Sequence, residues 1–382
     1  MCVRSFGVSS FVVVCDDIFH VAPWRNRQLL SLKKKKRIGK ILKEIRMAGQ
    51  SKPMAVRIRN TAVMVMLFSY VFLCVNMLWS TLAILRCVLP RKLYANVSKR
   101  LVKWFLILFV WAYERNAGYR TVLTGDLDGL RRESAMIIAN HPGQDWAPLY
   151  SFALSNDMLG HVLPIVKKSL QWIPGFGWAM YLAGVIFLSR KFKQDKMYIE
   201  TMMKCLREDG VPFHIWLFAE GHRFTKKGYE AGVQFAKSRG IVPYKHVLVP
   251  RTKGFTVLRR SLDCKYIFDV TIAYSGMKPT VSDILLPDGS SRERGPHVHV
   301  KKVLLADVPN SDTGMDAFLK DLYRKKDKLL AHFHAHGRFP HGNGKGKMKV
   351  LRNVNFQDCI PAIATYGCIA SLWVAVGICL IT

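Results

Sequence analysis

The chain has 382 residues, half of them hydrophobic, and 58 Lys and Arg against 26 Asp and Glu, a net charge of +32. That length allows one large domain with appended segments, and the charge draws polyanions: anionic lipid, phosphorylated substrates or nucleic acid. Nine scattered cysteines with no CxxC pair argue against a disulfide framework and against a zinc site, and so for a reducing, cytosol-facing domain.

Residues 1–60 form a basic arm. Within it SLKKKKRIGKILKEIR (31–46) interleaves cations with Ile and Leu, which suits either a solvated arm or an amphipathic anchor for anionic lipid heads. Met47 offers an alternative start. The run 61–85, TAVMVMLFSYVFLCVNMLWSTLAIL, carries no charge. As a helix it would reach about 37 Å, enough to cross a bilayer. A second apolar run, WFLILFVWAY (104–113), is too short to span and reads as a re-entrant or interfacial helix. Cations flank 61–85 on both sides, so the expectation for 61–115 is a hairpin with both ends cytosolic. Asn96-Val97-Ser98 is a glycosylation sequon in a strongly basic loop and reads as a chance match.

From 116 to 340 apolar, β-branched runs recur: AMIIA (135–139), HVLPIV (161–166), GVIFLS (184–189), PFHIWLF (212–218), HVLVP (246–250) and YIFDVTIAY (266–274). Helix-like stretches such as DKMYIETMMKCLRED (195–209) separate them. That alternation predicts an α/β domain with a mostly parallel central sheet flanked by helices. MDAFLKDLYRKKDKLLAHFH (315–334) predicts an amphipathic helix closing it. Residues 341–358 read as a basic linker. Residues 359–382, uncharged from 360 on, read as a C-terminal transmembrane helix whose start faces the cytosol.

Polar clusters follow the strand-like runs: NHPGQDW after AMIIA, Arg190 after GVIFLS, AEGHRFT after PFHIWLF, and VPRTKGF after HVL. In open α/β sheets ligands bind beyond the carboxyl ends of the strands, so these clusters predict one pocket. A neutral histidine there can take a proton from an attacking hydroxyl, and a carboxylate on its other ring nitrogen fixes the tautomer. Arginines can hold a phosphate in two-pronged fashion. No GxSxG motif is present, so direct acyl transfer fits better than an acyl-enzyme.

The stretches LQWIPGFGWAMYLAGVIFLSRKFKQDK (170–196), FAEGHRFT (218–225), HVLVPRTKGF (246–255) and FDVTIAYSG (268–276) resemble the motif blocks of the membrane glycerolipid acyltransferases. Within that family the likeness is greatest to the lysocardiolipin, lysophosphatidylinositol and lysophosphatidylglycerol acyltransferase group. The resemblance spans roughly residues 60–340. It implies an enzyme of the endoplasmic reticulum that passes a fatty acyl chain from acyl-CoA, its co-substrate, to a hydroxyl of an acidic lysophospholipid, with no metal or other cofactor. It implies that His141 is the general base and Asp145 its partner. It places Arg190, Glu220, Gly221 and Arg223 on the acceptor's phosphate and glycerol, and Pro250 and Arg251 on the acyl-CoA side.

Three positions depart from the family pattern. Three residues rather than four separate His141 from Asp145, Ala219 stands where proline is usual, and His222 where threonine is usual. With Pro142 at the first position of a helix, His141 would cap it and Asp145 would be its fourth residue. Two readings of NHPGQDW therefore stand: a catalytic pair, or a Pro-Gly turn with a capping side chain in a catalytically impaired, lipid-binding relative. A nucleic-acid-binding protein is disfavoured by the apolar spans and by the lack of any recognisable nucleic-acid module. HFHAHGRFPH (332–341) has four histidines but no interleaved acid or cysteine, and reads as a solvated linker. HVHV (297–300) reads as a structural strand, and Lys167 and Lys168 as either contacts for CoA phosphates or a solvated face.

Overall fold

The structure, a computed structural model, describes residues 76–381 except 118–119, 129–131, 174–175, 190, 239, 241, 276–294 and 341–346. The basic arm 1–60 and residues 61–75 of the first apolar run lie outside the described residues. The remainder of that run falls in helix α1, Asn76–Val88, which stops before Pro90. Helix α2, Arg91–Ala117, follows at once. The apolar stretch 104–113 is the inner part of this longer helix and not a separate short one. Ala95, Ser98, Leu101 and Val102 are buried at three- and four-residue spacing, and the same stripe continues through Ile107, Val110 and Tyr113.

Eight strands form one sheet in the order β4-β3-β5-β2-β6-β7-β1-β8. They are β1 (Val122–Gly125), β2 (Ala135–Ala139), β3 (Val162–Lys167), β4 (Ile186–Leu188), β5 (His214–Leu217), β6 (Tyr266–Tyr274), β7 (Pro296–Leu304) and β8 (Lys347–Val350). Pairings β6–β7 and β1–β8 are antiparallel; the other neighbours are parallel. The sheet is thus mostly parallel, as its sequence predicts. Helices α3 (Trp146–Ser155), α4 (Phe176–Leu182), α5 (Phe192–Asp209), α6 (Lys226–Ser238), α7 (Thr252–Ser261) and α8 (Asp312–His336) connect or cover the strands.

Strand β2 lies at the centre, paired with β5 and β6, and every one of its residues is buried. Its side chains alternate between two cores. Ala135, Ile137 and Ala139 join the layer with α2 and α3, while Met136 and Ile138 join the layer with α5, α7 and α8. Burial on both faces is why AMIIA is apolar throughout.

Two stretches differ from expectation. HVLVP (246–250) is not a strand. Its backbone bonds go elsewhere: Leu248 N donates to the Glu220 side chain, and Arg251 N to the Ala219 carbonyl. Residues 347–350, read as linker, instead form the edge strand β8 along β1. The linker is thereby shortened, and helix α9 (Phe356–Ile381) begins soon after. Among the described residues α9 is the one helix long and apolar enough to cross a membrane. It is tied to the other helices by Tyr366 Oη donating to Leu101 O (3.4 Å) and Trp373 Nε1 to Thr81 Oγ1 (3.0 Å).

Candidate active site

The carboxyl ends of β2 and β5 lie side by side, because Ile138 pairs with Leu217. The chain leaving β2 is fixed first by Asn140. Its side chain accepts from Ile272 N (2.7 Å) and donates to Ile272 O (3.0 Å), so it continues the β2–β6 pairing one residue beyond the strand. His141 follows. Its carbonyl accepts from Phe224 N (2.8 Å) and its own N–H donates to Glu220 Oε1 (2.9 Å).

Residues 142–145 form a turn, and α3 starts only at Trp146 with Asp145 at its cap. The expected helix start at Pro142 is therefore not formed. Instead the turn folds the Asp145 side chain back: Oδ1 accepts from Gly143 N at 2.8 Å, and Oδ2 is hydrogen-bonded to His141 Nδ1. A three-residue separation suffices here because residues 142–144 bend and the Asp145 side chain turns back onto Gly143 N and the His141 ring. Asp145 is fully buried, whereas the His141 side chain keeps 21% of its exposure. Among the described residues His141 Nε2 has no hydrogen-bond partner. The imidazole stacks on the Phe218 ring, with centroids 4.5 Å apart.

Glu220 is buried against the His141 backbone and does not face solvent. It is 1% exposed, and its second oxygen accepts from Leu248 N at 3.2 Å. Burial pushes its carboxyl up to about 7, and the nearby Asp145 adds to this. The two N–H donors and the Lys326 ammonium pull the other way. A carboxylate so placed braces the loops, and both of its oxygens are already engaged.

Gly221, Arg223 and Arg251 are all exposed. Gly221 has φ +74°, a conformation natural to glycine. A Cβ there would stand 3.1 Å from Arg251 Cδ and Nε, so the arginine side chain lies across the glycine. Pro250 is buried beside it, and Arg251 N, at the cap of α7, donates to Ala219 O at 2.7 Å. His222 is exposed, with Nδ1 3.2 Å from Glu220 O. Arg190 lies outside the described residues. His141, Asp145, Glu220, Gly221, Pro250 and Arg251 are thus brought together, and Arg223 is exposed one residue before Phe224, whose N–H bonds to the His141 carbonyl. Such a set can accept a proton and hold an anion.

Two residues under this site escaped the sequence reading. Lys326 of α8 is fully buried; its Nζ donates to Ile138 O (3.0 Å), to Val270 O (2.6 Å) and to the Asp269 carboxylate. Tyr323, one turn earlier, donates to Ala139 O at 3.1 Å. Together they pin the end of β2 to the middle of β6, immediately below His141. A signal was present: Asp269 is the lone acid of YIFDVTIAY, and Lys326 falls on the apolar stripe Leu319-Leu322-Tyr323-Leu330. Each charge breaks its element's pattern, and each is the other's partner.

The remaining histidine clusters have structural places. His299 Nδ1 lies 3.0 Å from Thr124 Oγ1. His332 and His336 stack on the last turn of α8, which runs on through part of the stretch read as linker. Among the described residues no group of three or more His, Cys, Asp and Glu side chains is placed to hold a metal ion.

Residues 122–275 match the acyltransferase family model, and residues 290–356 match the model of the acyltransferase C-terminus. The chain is 28% identical over 285 residues to 1-acyl-sn-glycerol-3-phosphate acyltransferase delta of Homo sapiens, covering 72% of this chain and 74% of that one. It is 27% identical over 288 residues to probable 1-acyl-sn-glycerol-3-phosphate acyltransferase 5 of Arabidopsis thaliana, covering 73% and 75%. It is 32% identical over 246 residues to lysocardiolipin acyltransferase 1 of Danio rerio, covering 63% of each.

Proposed function

The chain belongs to the glycerolipid acyltransferase family and is an acyltransferase; from that premise we propose that it transfers a fatty acyl chain from acyl-CoA to a free hydroxyl of an acidic lysophospholipid. The acceptor class is supported by the names of its relatives, which act on 1-acylglycerol 3-phosphate or lysocardiolipin, and by the exposed arginines near the site. Lysophosphatidylinositol and lysophosphatidylglycerol share the same chemistry, an anionic phosphate beside a free hydroxyl.

The observation that carries the reading is the His141–Asp145 pair. Its carboxylate is buried and held by Gly143 N, and it occupies Nδ1. That leaves Nε2 as the proton acceptor. His141 takes the proton of the acceptor hydroxyl as its oxygen attacks the thioester carbonyl. A C–O bond forms, the C–S bond breaks, and the departing CoA thiolate receives the proton back from His141. Asp145 steadies the imidazolium between these steps. Arg223 and Arg251 bind anionic groups of the two substrates, with Arg190 joining them and Pro250 shaping the acyl-CoA side. Glu220 acts indirectly, by holding the His141 and Leu248 backbones. No cofactor beyond the acyl-CoA co-substrate is needed. The setting is a membrane, the endoplasmic reticulum, with the domain facing the cytosol.

The test is acyl transfer in microsomes from cells lacking related enzymes, with labelled acyl-CoA and a panel of lysophospholipids. Product from one acidic acceptor, absent with His141→Ala at equal abundance, is the expected result. No product from any acceptor would replace this reading with that of a catalytically impaired lipid-binding relative.

A further inference from the structure

Helix α4 and the turn before it hold large apolar side chains in solvent. Trp172 is 78% exposed, Trp178 68%, Tyr181 52% and Ile173 42%, and Phe192 at the start of α5 is 48% exposed. Trp178 and Tyr181, three residues apart, share the outer side of α4, while Ala179 and Leu182 turn into the core. Scattered exposed apolar residues need no explanation, but an aromatic cluster of this kind marks an interaction surface.

The charge around it has one sign. Residues 160–199 contain six Lys and Arg and one acid, Asp195. Asp195 is spent internally, accepting from Ser189 N at 2.8 Å and Ser189 Oγ at 2.7 Å. Lys167, Lys168, Lys191 and Lys193 are exposed. Lys253 adds to them, its Nζ 5.5 Å from the Phe192 ring.

The patch also runs on to the apolar helices. Arg86 at the end of α1 lies 6.0 Å from the Tyr181 ring and 5.8 Å from that of Tyr94. On α1, Ile84 and Val88 are 53% and 71% exposed, and α1 is in turn bonded to α9 through Thr81 and Trp373. Exposed apolar surface therefore leads from the candidate span, along α1, to an aromatic cluster flanked in sequence by exposed lysines. Trp and Tyr at an apolar–polar boundary, with Lys beside them, match the chemistry of a bilayer interface.

The geometry points to this face as a docking surface for a bilayer containing anionic lipid, with Trp172, Trp178 and Tyr181 at the headgroup level and the lysines on lipid phosphates. The inference rests on the surface alone and stands whether or not His141 is a base. It holds the domain against the membrane at a second place, separate from α9.

The test uses the full chain in vesicles of phosphatidylcholine and phosphatidylserine, with or without bromine atoms near the tops of the acyl chains to quench tryptophan. Wild type is compared with the Trp172→Phe/Trp178→Phe variant, which keeps Trp373 in α9; its residual quenching reports that the chain is inserted. The fluorescence difference between the two proteins belongs to the patch. Docking predicts that this difference falls about twofold or more in brominated vesicles, and that omitting phosphatidylserine weakens the effect. An equal difference with and without bromine would overturn the proposal, and would assign the patch to a protein partner or to residues 1–75 of this chain. Quenching unchanged without phosphatidylserine would overturn the anionic requirement.

Discussion

The Glu220 carboxylate accepts the backbone N–H of His141 at 2.9 Å, so the end of β5 holds the loop that leaves β2. Its other oxygen holds Leu248 N, and through it the stretch leading to Arg251. One buried acid thus sets the spacing between the histidine and Arg251. Its cost is a carboxyl raised to about 7.

That shift has a consequence for stability. The ordinary carboxyl value is 4.5, so the folded chain holds this proton more tightly than the unfolded one. The contribution is full below pH 4.5 and is lost as pH rises through about 7, on the order of 3 kcal/mol in all. His214 acts oppositely: burial pushes it down from 6.5 to about 3, so its contribution is present above pH 6.5 and lost on acidification. Glu220→Gln removes the first effect and leaves the second. Its melting temperature should rise more steeply with pH between 4.5 and 7 than that of wild type. Parallel curves would mean that Glu220 stays ionised throughout.

Lys326 and Asp269 form a buried pair, and removing one charge strands the other. Lys326→Met should cost about 3–5 kcal/mol, read as a fall in the denaturation midpoint. Lys326→Met combined with Asp269→Asn should recover part of that loss. A double variant as unstable as the sum of the singles would show that the two side chains do not act as a pair.

Gly221→Ala places a side chain at φ +74° and against Arg251. The backbone conformation alone costs about 1–2 kcal/mol. Gly210→Ala is the control: its φ is +64°, and nothing lies within 4 Å of a Cβ there. Both variants should lose similar stability. Only Gly221→Ala should raise KM for the anionic substrates, because only it displaces Arg251. Equal kinetic effects of the two would remove Arg251 from the binding of those substrates.

Much of this was legible in the sequence. AMIIA, PFHIWLF and YIFDVTIAY are apolar because their strands are buried on both faces, and the polar residues after them had to gather at one end of a parallel sheet. What escaped depended on tertiary context. HVLVP has the composition of a strand, yet its N–H groups serve Glu220 and Ala219. KMKV is an edge strand, where exposure of Met348 and Val350 leaves composition little to select. The turn at Pro142–Asp145 gains its shape from hydrogen bonds to Gly143 and His141, which helix-start rules do not weigh. Lys326 was hidden because a lysine on a helix is ordinarily solvated, and its three acceptors come from two strands far off in sequence.

In the mechanism proposed above, the buried Asp145 and His141, four residues apart in the chain, together activate the acceptor hydroxyl. The most direct measurement is kcat of purified, reconstituted wild type, His141→Ala and Asp145→Asn on the acceptor selected from the panel, with folding checked by melting temperature. Both variants should fold and lose about 10²–10⁴-fold in kcat, with little change in KM. If His141→Ala retained kcat within about tenfold of wild type, which is below the usual range for a lost general base, the pair would be a structural turn and the base would lie elsewhere.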